Sequence, residues 1–248
     1  LLMGPRYRPK KKGNFIMKNS RRIKRMVGIA TLAAITVVLQ VISNYIKFGP
    51  VNITLALIPM VVGSILYGPL AGFGLGALMG VVILTAPDTA LFWNFNPWIT
   101  IVLCILKTGL AGLASGWIFK GLMQIKALKK FRFPVAVITA TLIAPLINTG
   151  LFILGTSVLF RGLSTVVNGE TIVLVPSAGS FGDAFAAALG FVILTNFLVE
   201  FAVSVLLSPS VIYLIRILSR NFNIGMNFNE GILDDTMPSN ELKPSVQE

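Results

Sequence analysis

A chain of 248 residues that is 55% hydrophobic and only 12% charged, with mean hydropathy +0.83, is not a soluble globular domain; it reads as an all-α polytopic membrane protein. It has no histidine and one cysteine, Cys104, which rules out a disulfide within the chain and leaves no basis for a His/Cys metal site or a histidine-based triad, so no metal and no cofactor is expected. The net charge of +12 would suit nucleic acid, but ten of the 21 basic residues precede Met26 and five more (Lys120, Lys126, Lys129, Lys130, Arg132) share one loop, which is the positive-inside pattern of a membrane protein.

Residues 1–25 are basic and contain prolines, and read as a disordered cytoplasmic tail suited to anionic lipid. Met17 is an alternative start, and residues 1–16 are left out of the fold argument. The first helix is expected over about Met26–Tyr45. Its Ala30 and Ala34 lie four apart on one face. That spacing suits either small-residue packing inside a bundle or docking onto another membrane protein. Lys47–Asn52 reads as an extended outer loop.

The second helix, about Thr54–Leu66, contains Pro59 and is short against the roughly 20 residues a bilayer needs. Tyr67-Gly68-Pro69 is too short for a soluble loop and forces a tight reversal into a third helix, about Leu70–Thr85. That helix carries Gly72, Gly74, Gly76 and Gly80, two overlapping GxxxG pairs that let backbones approach closely. The expectation is a glycine-packed pair made by the second and third helices. The polar loop Ala86–Pro97 holds Asp88, Trp93, Asn94 and Asn96, as an interfacial aromatic belt or as a lid that stacks on a ligand.

The fourth helix, about Trp98–Phe119, places Lys107 nine residues deep, roughly 14 Å. A mid-bilayer lysine needs a partner and is a functional candidate. Cys104 reads as a small buried hydrophobe. The basic loop Lys120–Phe133 follows. In the fifth helix, about Pro134–Phe160, Pro145 frees the Thr141 carbonyl. Asn148 then serves either to satisfy the freed backbone or to share a cavity with Lys107. The loop Arg161–Gly182 turns at Asn168-Gly169 between β-branched runs, the pattern of an outer hairpin.

The sixth helix, about Asp183–Leu218, has Asn196 and Glu200 four apart. Counted as one helix from Asp183, Glu200 is about 25 Å along, toward the inner half, and reads as structural. Residues 219–248 read as a polar, disordered cytoplasmic tail. The result is six spans over residues 26–218 with both termini on the basic, cytoplasmic side.

The short second helix, the run LIPMVVGSILYGPLAGFGLGALMG, the lysine of ILKTGLAGLASG and the alanine pair of the first helix together resemble the S component of energy-coupling factor (ECF) vitamin transporters, over about Met26–Leu218. The resemblance implies a cell-membrane protein, not an enzyme, that binds a water-soluble vitamin or related micronutrient in an outer pocket closed by the loops Lys47–Ile53, Ala86–Pro97 and Arg161–Gly182. It implies that Ala30 and Ala34 contact a transmembrane T subunit joined to two ATPases. The chain itself has no GxxxxGK[ST] motif. The candidate substrate contacts are Asn44, Asn52, Asp88, Trp93, Asn94, Asn96, Lys107, Asn148 and Asn196. Lys107 would pair with a carboxylate such as that of pantothenate, whereas the asparagines and aromatics would equally suit a pyridoxine-like or pyrimidine compound. A stand-alone secondary transporter is the competing reading, and it would usually show internal repeats and an acid or histidine relay.

Overall fold

The structure is a computed structural model that describes residues 13–45, 47–48, 51–52, 54–125, 131–167, 170–192 and 197–222. In chain order the elements are α1 (Gly13–Tyr45), β1 (Lys47–Phe48), β2 (Val51–Asn52), α2 (Leu57–Tyr67), α3 (Pro69–Ile83), a 3₁₀ turn (Pro87–Thr89), α4 (Ala90–Phe95), α5 (Pro97–Gln124), α6 (Arg132–Leu159), β3 (Ser164–Val167), β4 (Glu170–Val173), α7 (Phe181–Val192) and α8 (Leu198–Phe222). Strands β1–β2 and β3–β4 pair antiparallel, the second pair flanking Asn168-Gly169, where the expected turn lies outside the described residues.

Four helices are long and apolar enough to cross a membrane among the described residues: Arg22–Tyr45, Pro97–Gln124, Arg132–Leu159 and Leu198–Leu218. Helix α3 and the segment Pro87–Phe95 would make a fifth span if taken together, but they bend by 77°. Helix α2 has only 11 residues, so six full-length spans are not present among the described residues.

Helix α2 is short because it is the hub. It is apolar on every face and buried from Leu57 to Tyr67 apart from Ile58, as a helix enclosed by its neighbours must be. Pro59 falls in the first turn, where a missing N–H removes no helical bond. The helix ends at Gly68, whose φ of 98° L side chains rarely adopt, and Pro69 opens α3 at once. The expected tight reversal is therefore present.

The glycine stripe of α3 faces α5 rather than α2, which corrects the expected pairing. A Cβ on Gly72, Gly76 or Gly80 would run into the backbone carbonyls of Gly112, Thr108 and Cys104 respectively. Gly112 meets Gly72 in return. The 4-residue period thus builds a backbone-on-backbone seam. Ser64 of α2 inserts into that seam, between Gly72 and Gly116, and its hydroxyl donates to the Gly112 carbonyl at 2.7 Å. Ser64→Ala removes this donor and leaves the carbonyl its helical bond, so it should lower stability by about 1 kcal/mol, read as a drop in thermal midpoint in detergent.

Helix α1 begins at Gly13, ahead of the expected start near Met26, with residues 1–12 of the basic tail outside the described residues; within the basic stretch Arg25 donates to the Tyr67 carbonyl at 2.7 Å. A cation placed on the last carbonyls of α2 complements the negative end of that helix. The Ala86–Pro97 segment is not an open loop but a 3₁₀ turn followed by α4. Phe92 of α4 meets Phe152 and Phe160 edge to face, at 5.4 and 5.2 Å between ring centroids. Phe92, Phe160, Leu163, Val175 and Ala184 form one small core, so the segments on either side of α5–α6 close on each other. At the head of α7, Ser180 and Asp183 cap the helix reciprocally: Asp183 accepts from the Ser180 N–H at 2.8 Å and Ser180 Oγ accepts from the Asp183 N–H at 3.3 Å. Beyond Phe222 the C-terminal tail lies outside the described residues.

Candidate functional site

Polar residues repeat along the buried face of α1 as Thr36, Gln40, Ser43 and Asn44. In an otherwise apolar helix this stripe needs partners. Asn44 Nδ2 donates to the Val82 carbonyl at 3.1 Å and to Thr85 Oγ1 at 3.3 Å. A backbone carbonyl only accepts, so this contact fixes which end of the Asn44 amide is which. Asn44 Oδ1 then accepts from Gln40 Nε2 at 2.8 Å, and Gln40 Oε1 is left buried with no hydrogen-bond partner.

One turn along, Ser43 Oγ accepts from the Leu55 N–H at 3.3 Å and so holds the chain just before α2. The neighbouring residue, Thr54, donates from Oγ1 to the carboxylate of Glu200. Glu200 is 6% exposed. It lies in the first turn of α8. Lys107 Nζ sits 4.2 Å from the centre of the Phe152 ring, a cation–π contact. Phe152 carries Lys107 to Phe92 of α4 on one side. On the other it stands one helical turn after Asn148, which is 7% exposed with Oδ1 unpartnered.

These contacts tie α1 and α8 to the entry of α2, and α5 to α6 and α4. Glu200 therefore sits beside Thr54, just before α2, rather than toward the inner half as counted from Asp183; residues 193–196, between α7 and α8, lie outside the described residues. Lys107 also borders an open cleft of about 290 Å³ between α5 and α6, walled by leucines such as Leu103, Leu110 and Leu151. Asn148 does not border that cleft, so Lys107 and Asn148 are connected through Phe152 rather than through a shared void.

The other candidates are placed as follows. Trp93 is half-buried and donates from its indole N–H to the Leu84 carbonyl at 3.0 Å. Asn96 caps α5, its Oδ1 accepting from the Ile99 N–H at 3.2 Å. Asn94 and Asp88 are exposed, on α4 and on the 3₁₀ turn. Asn52 ends β2, with its side chain outside the described residues, and Asn196 lies outside them altogether. Ala30 and Ala34 are both exposed on α1, whereas Leu32 and Thr36 face the core. Asn44 is thus joined to Gln40, and Thr54 to Glu200, while Lys107 lies over Phe152, one turn after Asn148 on α6. Gln40 was legible as the residue one turn before Asn44. Glu200 was legible as an ionisable group in an apolar segment.

Chemically, these side chains offer amide and carboxylate acceptors and one half-buried ammonium. They are suited to binding and orienting a polar solute. No curated protein and no solved structure matches the chain. The family described as ECF transporter, substrate-specific component, matches residues 24–212, well over half of its length. With its apolar membrane-spanning helices, the chain belongs to the family of substrate-specific components of ECF transporters and is a multi-pass membrane protein.

Proposed function

We propose that this chain captures a small water-soluble micronutrient from outside the cell and delivers it inward together with a T subunit and two ATPases. The polar layer of Gln40, Asn44, Thr54, Lys107, Asn148 and Glu200 is the bottom of its pocket. The segments Lys47–Ile53, Ala86–Pro97 and Arg161–Gly182 form the cover, with Trp93, Asn94 and Asp88 on the second of them and Asn52 and Asn196 as further contacts. Both termini are cytoplasmic.

The observation that carries this reading is the run of buried polar groups on α1, with buried Asn148 on α6 and Glu200 on α8, in a chain of the family of substrate-specific components of ECF transporters. A purely structural bundle would have no use for unpartnered amides at this depth. The exposed alanine pair supports docking: among the described residues nothing in this chain covers Ala30 or Ala34 well enough to bury it. Affinity capture of the tagged chain from native membranes tests the assembly. The expected result is one T subunit and two ABC-type ATPases retained with the chain. Recovery of the chain alone, under mild detergents that preserve known membrane complexes, would contradict it.

A further inference from the structure

We infer that the basic end of the bundle holds a site for the phosphate of an anionic phospholipid, built by Arg25 of α1 and Lys120 of α5 across the turn between α2 and α3. The two cations converge on neighbouring residues of that turn. Arg25 donates to the Tyr67 carbonyl at 2.7 Å. Lys120 Nζ lies 3.7 Å from where a side chain on Gly68 would begin. Gly68 has none, and its φ of 98° disfavours any other residue there, so the approach stays open. Tyr67 and Gly68 share a peptide bond, which leaves the two charges no more than roughly 10 Å apart. A guanidinium has five N–H donors, so the Tyr67 bond leaves Arg25 others for a second acceptor.

Helix packing puts both cations there. Gly116, one turn before Lys120 on α5, meets the backbone of Pro69. Helices α1 and α5 each pack on α2 and α3. Two like charges held this close repel, and an anion between them relieves the repulsion. The described carboxylates stand elsewhere: Asp88 lies past the far end of α3, Glu200 meets Thr54 ahead of α2, and Asp183 caps α7. A phosphodiester offers two non-bridging oxygens, one for the guanidinium and one for the ammonium, each in a charge-assisted hydrogen bond.

The position favours a lipid over a soluble anion. Arg25 and Lys120 each fall about one turn inside the end of a membrane-spanning helix, Arg22–Tyr45 and Pro97–Gln124. That is headgroup level, where tryptophan also collects. Trp117, one turn before Lys120, is 63% exposed, and Leu70, next to Pro69, is 80% exposed. Acyl chains cover such side chains, whereas a free phosphate ion leaves them bare. A zwitterionic headgroup would bring its own cation toward two others, so the site selects net negative charge. The bound lipid bridges α1 and α5 across the turn.

The test uses the full chain, delipidated in mild detergent. Its thermal midpoint is followed as phosphatidylglycerol, phosphatidylcholine or inorganic phosphate is added, and retained lipid is counted by native mass spectrometry. Phosphatidylglycerol alone is expected to stabilise the chain and to be retained. Its apparent affinity should fall at least about tenfold in Lys120→Gln and return in Lys120→Arg. Arg25→Gln should show a like loss; if that variant fails to fold for want of the Tyr67 contact, the Lys120 pair decides. Lys24→Gln is the control. Lys24 is exposed on α1 beside Arg25 but turned about 100° from it, and its loss should leave the affinity unchanged.

Equal stabilisation by phosphatidylcholine overturns the inference, as does no stabilisation by any of the three. An equal loss in Lys24→Gln overturns it too, because summed surface charge would then explain the binding. Inorganic phosphate acting as well as phosphatidylglycerol, and through Lys120, would make this a soluble-anion site and contradict the lipid assignment. None of these readouts involves a partner subunit, so they stand apart from the transporter assignment.

Discussion

Ala34→Trp should abolish uptake of the substrate while the ligand affinity of the isolated chain stays within about twofold of the wild type, because the role proposed for this position is docking rather than binding. The pair Ala30 and Ala34 lies on the side of α1 that the other described residues leave open, one turn apart near the basic end. Core-facing residues of the same helix, Leu32 and Thr36, alternate with them and pack inward. In lipid, two helices gain no hydrophobic advantage by meeting, so close contact between small residues supplies the attraction. An indole at Ala34 holds the partner helix several ångströms away and removes that contact. It touches no residue of the polar layer, which lies further along α1 at Gln40 and Asn44. Measurement of uptake in cells, with ligand affinity and ATPase copurification on the purified variant, checks this. Parallel loss of affinity would show that the alanines pack within the fold.

Gly76→Leu should prevent folding altogether, seen as loss of monodisperse protein after extraction. A Cβ at Gly76 meets the Thr108 carbonyl and the backbone of Gly109, not the movable end of a side chain. Overpacking a core by methylene groups costs about 1–3 kcal/mol when side chains can yield. Here two helix backbones must separate, and the seam extends over Gly72 and Gly80 as well, so the loss is larger. Gly74 is the internal control. A Cβ there meets nothing within 4 Å, so Gly74→Leu on the same helix should be tolerated. Failure of both variants alike would place the cause in glycine content rather than in the seam.

The contrast between Gly76 and Gly74 also shows what could be read from the sequence. The GxxxG spacing fixed which face of α3 was small. It carried no information about which helix would lie against that face, and α5 rather than α2 does so. Local chemistry was more explicit. Gly68-Pro69 could only be a break, and Asn168-Gly169 between β-branched runs could only turn. Asn96 followed by Pro97 is equally a helix start, with the cap side chain before a proline at the first position. That signal lay under the reading of Asn96 as a ligand contact, and its side-chain oxygen serves the cap.

Depth was harder to read than type. Lys107 was recognisable as a functional candidate because an intramembrane cation demands a partner. Glu200 was counted toward the inner half by summing a rise of 1.5 Å per residue from Asp183, whereas its carboxylate meets Thr54 at the entry to α2. The Thr54–Glu200 bond spans 146 residues of sequence, and no periodicity reports a contact of that kind. The same holds for the amide orientation of Gln40, which is settled by a carbonyl on α3.

Transport by the reconstituted assembly tests the central claim most directly. Proteoliposomes are prepared with the chain alone and with the chain plus its copurified T and ATPase subunits, with ATP or a non-hydrolysable analogue on the ATPase side. The substrate offered is the compound released from the purified chain. The account predicts accumulation only where all subunits and hydrolysable ATP are present, and binding without accumulation by the chain alone. Accumulation by the chain alone, driven by an ion gradient and indifferent to ATP, would contradict it.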